Sequence, residues 1–268
     1  MSASLHAQAL DVARRAAQAG AEIAMRKRTS KERLIVEAKE VTDYVTDVDR
    51  AAQVAVIAII RDAFPDHRIL AEEDGAEHLG DPASPFCWII DPVDGTKPYV
   101  HGKDEFGCLV ALQENGVTLL GVMALPAKKE TFWSTRKGGA FLNGGKIAGL
   151  RATRDLDDAI LCTNMGGKSR GTEKIMTITH PRCASLQNYG CAAVEMAEVI
   201  KGRNDGVFFE GVHLWDVAPA CLLINEAGGK SRTELMDPKN PRGGVRCVAS
   251  TTPIFDELCD FVFKEHSK

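Results

Sequence analysis

Three separated stretches of this chain place carboxylates directly after apolar residues. Glu72-Glu73-Asp74-Gly75 follows Ile69-Leu70-Ala71, and Asp91-Pro92-Val93-Asp94-Gly95-Thr96 follows Trp88-Ile89-Ile90. Asp216 follows Leu214-Trp215 and opens an apolar helical pattern. In the second stretch Pro92 fixes its own φ and keeps Asp91 extended. One turn can therefore aim two carboxylates and the Val93 carbonyl at a single point. Such an all-oxygen set suits Mg²⁺ or Mn²⁺ rather than zinc. The Gly95 and Thr96 N–H groups beside it are where a phosphate could approach. Each stretch alone also has a plainer reading: an Asx turn for Asp91 and Asp94, a helix N-cap for Asp216, a solvated loop for Glu72 and Glu73. Their joint occurrence favours a site that gathers cations.

Elements must exist to bring these stretches together. The first ~28 residues read as an amphipathic helix with Leu5, Ala9, Val12, Ala16, Ala19 and Ile23 on one face. A polar stretch (KEVTDYVTDVD) leads to a second helix from about Asp49 to Phe64, ended by Pro65-Asp66. Short strands follow: ILAEE, CWIID, a hairpin of FGCLVALQ and VTLLGVMAL around Asn115-Gly116, then ETFWST and AFLNGG with a second turn at Asn143-Gly144. Beyond residue 150 strands and helices alternate: AILCT, a short helix EKIMTITH, a helix CAAVEMAEVIKG, a strand DGVFFEG, a helix VAPACLLINEAGG closed by Gly228, a strand RCVAS and a helix from Pro253 to about Lys264. The pattern predicts a mixed α/β fold with helices layered on sheets. Its two halves are 1–150, carrying the Asp91–Thr96 turn, and 151–268, supplying Asp216, packed as one unit.

Composition narrows the function classes. The chain has 268 residues, 44% hydrophobic and 26% charged, with a formal net charge of −4. That balance argues against nucleic-acid binding through a basic field and against a polybasic membrane anchor. No apolar run is long enough to span a bilayer and the N-terminus lacks a signal-peptide core, so a cytoplasmic protein is expected. The 8 cysteines form no CxxC pair and sit mostly in apolar runs, which reads as reduced core filling without a zinc site. The 7 histidines show no HExxH or paired spacing and read as loop or surface residues. Gly166-Gly167-Lys168-Ser169 lacks the earlier glycine of a P-loop and reads as a loop.

The motifs together resemble the inositol monophosphatase superfamily, the lithium-sensitive, magnesium-dependent phosphatases. Its W-x-x-D-P-x-D-G-T signature stands here as Trp88 to Thr96, and its W-D-x-A followed by E-A-G-G as Trp215 to Ala218 and Glu226 to Gly229. Glu72-Glu73, Val45-Thr46-x-x-Asp49 and the Gly139–Gly144 turn also match, in family order, over roughly residues 5 to 265. The resemblance implies a layered αβαβα sandwich of the sugar-phosphatase type. It implies that Glu72, Asp91 and the Val93 carbonyl hold one metal, that Asp91, Asp94 and Asp216 hold a second, and that Asp49 positions a further metal or its waters. The cofactor would be two or three Mg²⁺ per site, with Mn²⁺ as a substitute. Glu72, Thr96 and Asp49 would be catalytic. Gly95, Thr96, Lys97, Gly190, Cys191, Ala192 and Glu210 would contact the substrate. The implied reaction is hydrolysis of a small polyol phosphate, inositol 1-phosphate first, by a homodimer.

Some positions depart from the inositol-type pattern. Lys97 after Thr96 leans toward the histidinol-phosphate phosphatase and bisphosphate-nucleotidase branches, and Phe106-Gly107 toward the histidinol branch, whereas Trp215-Asp216 is inositol-type. Cys191 replaces a frequent Thr or Ser. The alternatives are therefore histidinol phosphate, then a 3′(2′),5′-bisphosphate nucleotide or fructose 1,6-bisphosphate, or a non-catalytic metal-binding regulatory member.

Overall fold

The computed structural model describes residues 3–30, 34–40, 43–76, 79–151, 153, 155–164 and 182–263. The expected helix EKIMTITH and the Gly166–Ser169 loop lie outside the described residues, as do His78, His180 and His266. The first helix, α1 (Ala3–Thr29), buries small side chains: Ala9, Ala13, Ala16 and Ala17 are fully covered. These let it lie close to α2 (Asp47–Ala63). At Gly20 a Cβ would stand 2.6 Å from Cys108 Sγ and 3.0 Å from Val56, so only glycine fits where α1 crosses its neighbours.

The polar stretch before α2 is not plain coil. Val36–Glu40 (β1) and Asp43–Thr46 (β2) form an antiparallel pair, and Thr46 then caps α2. Thr46 accepts from the N–H groups of Val48 and Asp49 while the Asp49 carboxylate accepts from the Thr46 N–H. This reciprocal cap starts the helix two residues earlier than the apolar periodicity indicates.

Seven strands follow in one sheet: β3 (Arg68–Ala71), β4 (Phe86–Asp94), β5 (Gly107–Glu114), β6 (Val117–Leu125), β7 (Glu130–Thr135), β8 (Gly139–Leu142) and β9 (Gly145–Lys146), in that spatial order. Only β3–β4 is parallel. Both predicted turns form, with Asn115 (φ 49°), Gly116 (φ 79°), Asn143 (φ 49°) and Gly144 (φ 84°) in the left-handed region. A short helix, α3 (Thr96–Val100), leaves the end of β4.

The rest of the described chain builds a five-stranded sheet. Its order is β11 (Ser185–Gln187), β10 (Ile160–Thr163), β12 (Gly206–Val212), β14 (Val245–Ser250), β13 (Lys230–Leu235). Strand β13 escapes sequence reading because KSRTEL is mostly exposed and shows no apolar alternation. Helices α4 (Ala192–Ile200) and α5 (Leu214–Glu226) lie between the two sheets, α1 and α2 cover the outer face of the large one, and α6 (Thr252–Phe263) covers the outer face of the small one. The layers thus run α, β, α, β, α, as expected. The inter-sheet core mixes Leu109, Met123 and Phe132 with Val194, Phe209 and Val217, so both sheets close on one apolar volume. Six of the cysteines are buried, and all 8 are free.

Candidate active site

Strand β4 carries the densest part of the site. Its Trp88 is fully buried and donates from Nε1 to His67 Nδ1 at 3.1 Å, with His67 stacked between Phe64 and Phe86. His67 therefore sits in a loop but serves the packing rather than the surface. Three residues on, the ladder to β5 skips: Asp91 pairs with Leu109 and Asp94 with Gly107, leaving one extra residue on β4. Such a bulge re-aims side chains. The Val93 N–H donates to Asp91 Oδ1 at 3.0 Å, which fixes the turn that Pro92 begins.

The carboxylates predicted from sequence do converge. Asp91 is 1% exposed, and burial holds its carboxyl well above the usual carboxylate range. Glu72, Asp94 and Asp216 each raise it further, and Glu72 lies within hydrogen-bonding reach of it. Four acids from the end of β3, the β4 bulge and the start of α5 therefore feel one another in a poorly solvated place. Glu72 is placed by its own N–H, which donates to Ile90 O on β4 at 3.1 Å. Gln53 of α2 braces the next residue, donating to Glu73 O at 2.9 Å and accepting from Glu73 N at 3.0 Å.

Asp49 joins from α2. Thr96 Oγ stands 2.9 Å from Asp49 Oδ1 and 3.0 Å from Val93 O, so the three groups meet around one hydroxyl. Asp49 is fully buried, which raises its carboxyl pKa, while hydrogen bonds from Thr46 and Thr96 act against the shift.

Asp94 faces the N-terminus of α4. Its Oδ2 accepts from Ala193 N at 2.5 Å and from Cys191 Sγ at 3.1 Å. Burial raises its pKa, and those donors oppose the rise. Gly95 turns the chain from β4 into α3 with φ 85°; a Cβ there would lie 2.4 Å from Glu105 O and 3.0 Å from Cys191 Cβ. Gly190 has φ 74° and packs against Pro98, so the loop before α4 lies against the Gly95–Thr96 turn. That loop is tied from below: Glu195 Oε1 accepts from Tyr189 N at 2.7 Å and Gly190 N at 3.2 Å.

Asp216 is held by the main chain, its Oδ2 accepting from His213 N at 2.7 Å. The His213 ring stacks on Trp215 at 4.6 Å. The remaining predicted contacts fall differently. Lys97 is exposed in the first turn of α3. Glu210 on β12 is 6% exposed, and its Oε1 accepts from Nε of Arg246, its cross-strand partner on β14, at 2.9 Å. Any substrate hydroxyl reaching Glu210 would share it with that arginine. Sequence reading singled out neither Gln53, Glu195 nor Arg242; the first two carry the local signal of a polar residue on a helix's buried face, and Arg242 carries none.

Among the described residues no three acid, His or Cys side chains are closed into a cage as they stand. The donors nevertheless fit a hard divalent cation. They are oxygens only, Asp91 and Asp94 are buried while Glu72 and Asp216 are partly so, and burial together with repulsion by the neighbouring acids raises the pKa of Asp91 in the way a bound cation would reverse.

Residues 6–257 match the model of the inositol monophosphatase family. The chain is 37% identical to the Nus factor SuhB of Salmonella typhimurium over 224 residues, which is 82% of this chain and 83% of that one. It is 36% identical to the inositol monophosphatase of Dictyostelium discoideum over 200 residues, 72% of this chain and 73% of that one. Among solved structures, the extragenic suppressor protein suhB of Bartonella henselae superposes with a TM-score of 0.85 at 27% identity, covering 96% of this chain and 99% of the other. The inositol monophosphatase of Anabaena superposes with a TM-score of 0.80 at 30% identity, covering 95% and 94%.

Proposed function

Because this chain belongs to the inositol monophosphatase family, and so is a phosphatase of a metal-dependent kind, we propose that it is a Mg²⁺-dependent phosphomonoesterase acting on a small polyol phosphate, inositol 1-phosphate first. The observation that carries this reading is the convergence of Glu72, Asp91, Asp94 and Asp216 beside the Gly95–Thr96 turn. A phosphate dianion would be repelled by those acids alone, so cations must stand between them.

Glu72, Asp91 and the Val93 carbonyl would hold one cation, and Asp91, Asp94 and Asp216 the other, with Asp49 orienting a third or its water. Bound there, divalent cations offset the phosphate charge and acidify water. The chain's own groups do the rest. The Thr96 hydroxyl gives its hydrogen to Asp49, which leaves its lone pairs to accept from a water and aim it at phosphorus. Glu72 takes the proton that water loses. The Gly95 and Thr96 N–H groups and the start of α4, with Gly190, Cys191 and Ala192, orient the ester for in-line displacement. We place the enzyme in the cytoplasm as a homodimer that needs no nucleic acid or membrane; no helix among the described residues is long and apolar enough to cross a membrane.

One feature favours a second substrate. Lys97 follows Thr96 and is exposed in the first turn of α3, next in sequence to the phosphate turn, and such a cation would suit an ester with a second charged group, such as histidinol phosphate. The relatives named Nus factor SuhB add a further reading, a factor role beside catalysis.

A phosphate-release assay with and without Mg²⁺ or Mn²⁺ tests the proposal, using inositol 1-phosphate, histidinol phosphate, fructose 1,6-bisphosphate and 3′-phosphoadenosine 5′-phosphate. Inositol 1-phosphate should turn over fastest, and only with metal. Asp94→Asn should nearly abolish turnover while keeping the fold. Near-normal turnover by that variant at saturating Mg²⁺ would sink the assignment. Unchanged relative kcat/KM in Lys97→Thr would remove the lysine from substrate selection.

A further inference from the structure

Arg242 lies far in sequence from every carboxylate of the site, yet it touches two of the segments that carry them. Its guanidinium Nη2 donates to the Glu72 carbonyl at 2.9 Å and stands 3.5 Å from Asp74 Oδ1, while its carbon centre sits 5.5 Å above the Trp215 ring. Its backbone carbonyl is 3.0 Å from His213 Nδ1. That histidine stacks its ring on Trp215, and its backbone N–H donates to Asp216 Oδ2. One residue thus spans the Glu72 segment and the start of α5.

The loop that presents Arg242 is itself built. Met236 N donates to Gly244 O at 2.8 Å and closes it. Inside, Asp237 accepts from Lys239 N at 2.9 Å and Asn240 accepts from Arg242 N at 3.1 Å. The arginine therefore arrives on a braced turn, and its planar fork can serve a carbonyl and a ring face together, which a lysine cannot. Asp74 lies at the guanidinium's outer side and offsets its charge, so a cation among the acids does not meet a bare positive group.

We propose that Arg242 is a positioning residue of the phosphatase site, clasping the Glu72 segment to the head of α5 so that Glu72 and Asp216, ligands of the two neighbouring cations, stay on either side of Asp91, which both cations share. The inference rests on the phosphatase reading above. Loss of a group that orients metal ligands typically weakens metal binding by about ten- to a hundredfold.

The test compares wild type, Arg242→Met and Arg242→Lys. Mg²⁺ binding is followed by calorimetry and by the Mg²⁺-induced rise in Tm, and kcat and the KM for inositol 1-phosphate are measured at saturating Mg²⁺. Arg242→Met should bind Mg²⁺ at least about tenfold more weakly, keep its metal-free Tm within a few degrees, and recover most of kcat when Mg²⁺ is raised, with KM for the ester unmoved. Arg242→Lys, which keeps the charge without the fork and leaves folding intact at this partly exposed position, should fall between. Unchanged Mg²⁺ affinity in both variants overturns the proposal. So does a raised ester KM at normal Mg²⁺ affinity, which would make Arg242 a substrate contact. If wild type itself neither binds Mg²⁺ nor hydrolyses any ester, the phosphatase reading has failed and this inference falls with it; if wild type does both and the variants match it, only the role of Arg242 is wrong.

Discussion

Thr96 Oγ lies 2.9 Å from Asp49 Oδ1, joining the turn after β4 to the capped start of α2 across 47 residues of chain. Asp49 already receives the Thr46 N–H at 2.9 Å and the Thr46 hydroxyl. The same acid thus completes a helix cap and orients the hydroxyl that would aim the attacking water. Structure and chemistry share one carboxylate here.

Thr96→Val keeps the shape and removes the hydroxyl. Turnover should fall by about 10²–10⁴, the usual contribution of a positioned proton-handling group. Asp49 would lose one partner, costing about 1–3 kcal/mol of stability. Thr96→Ser should restore most of both. Steady-state kinetics and urea unfolding of the pair check this, and a Val variant with more than a tenth of wild-type kcat would refute the water-positioning role.

Gly95→Ala should hurt fold and function together. The backbone there has φ 85°, which costs an L-residue about 1–2 kcal/mol, and the new Cβ would stand 2.4 Å from Glu105 O, a main-chain atom that cannot turn aside. A loss above about 2 kcal/mol in urea unfolding is expected, with phosphate release lost as Gly95 moves away from Cys191. A stable, active variant would show that the turn relaxes more easily than its contacts indicate.

The parts of this site that were legible in the sequence are those with local causes. Asp91, Pro92, Asp94 and Gly95 announce a turn because their types constrain a few neighbouring dihedrals, whereas Thr46-x-x-Asp49 stands out in the sequence only as a shared motif and shows itself as the cap of α2 in the structure. What stayed hidden depends on register and packing. Nothing near Glu210 reveals Arg246, because the pair exists only when β12 lies antiparallel to β14. Strand β13 (KSRTEL) is mostly exposed, so it lacks the apolar alternation that marks a half-buried strand. Arg242 reads as one more loop cation until the loop is closed over Trp215.

Glu195 gives a pH prediction with a definite sign. Burial pushes its carboxyl up to about 8, even though the Tyr189 and Gly190 N–H groups favour the charged form. Its unfolded value is near 4.5, so between those limits the folded protein holds a proton that the unfolded chain has released. The protonated carboxyl's contribution to stability is therefore full below about pH 4.5 and is lost as pH rises toward 8. Glu195→Gln does not titrate and keeps an oxygen for both N–H groups. Relative to wild type it should gain on the order of a few kcal/mol between pH 5 and pH 9. Parallel stability curves across that range would show that Glu195 is charged in the folded state throughout.

Lys201 closes α4 at the end opposite the site, and it tests how much the layer between the sheets relies on a buried ion. Its side chain is only 8% exposed and its Nζ stands 3.0 Å from both Glu130 carboxylate oxygens on β7 and 2.7 Å from Glu198 Oε1. Removing the cation leaves two poorly solvated acids facing each other, and breaking such an arrangement costs about 3–5 kcal/mol. Lys201→Met should therefore lower Tm by several degrees. Adding Glu130→Gln should return part of the loss, because the second change removes the stranded charge rather than a contact. Phosphatase activity at a temperature where both variants are folded should stay close to wild type, since Ala193 N, not Lys201, holds Asp94. Differential scanning calorimetry of the two variants decides it: a single-variant loss below about 0.5 kcal/mol would mean that water already screens the group as it does at an ordinary surface pair.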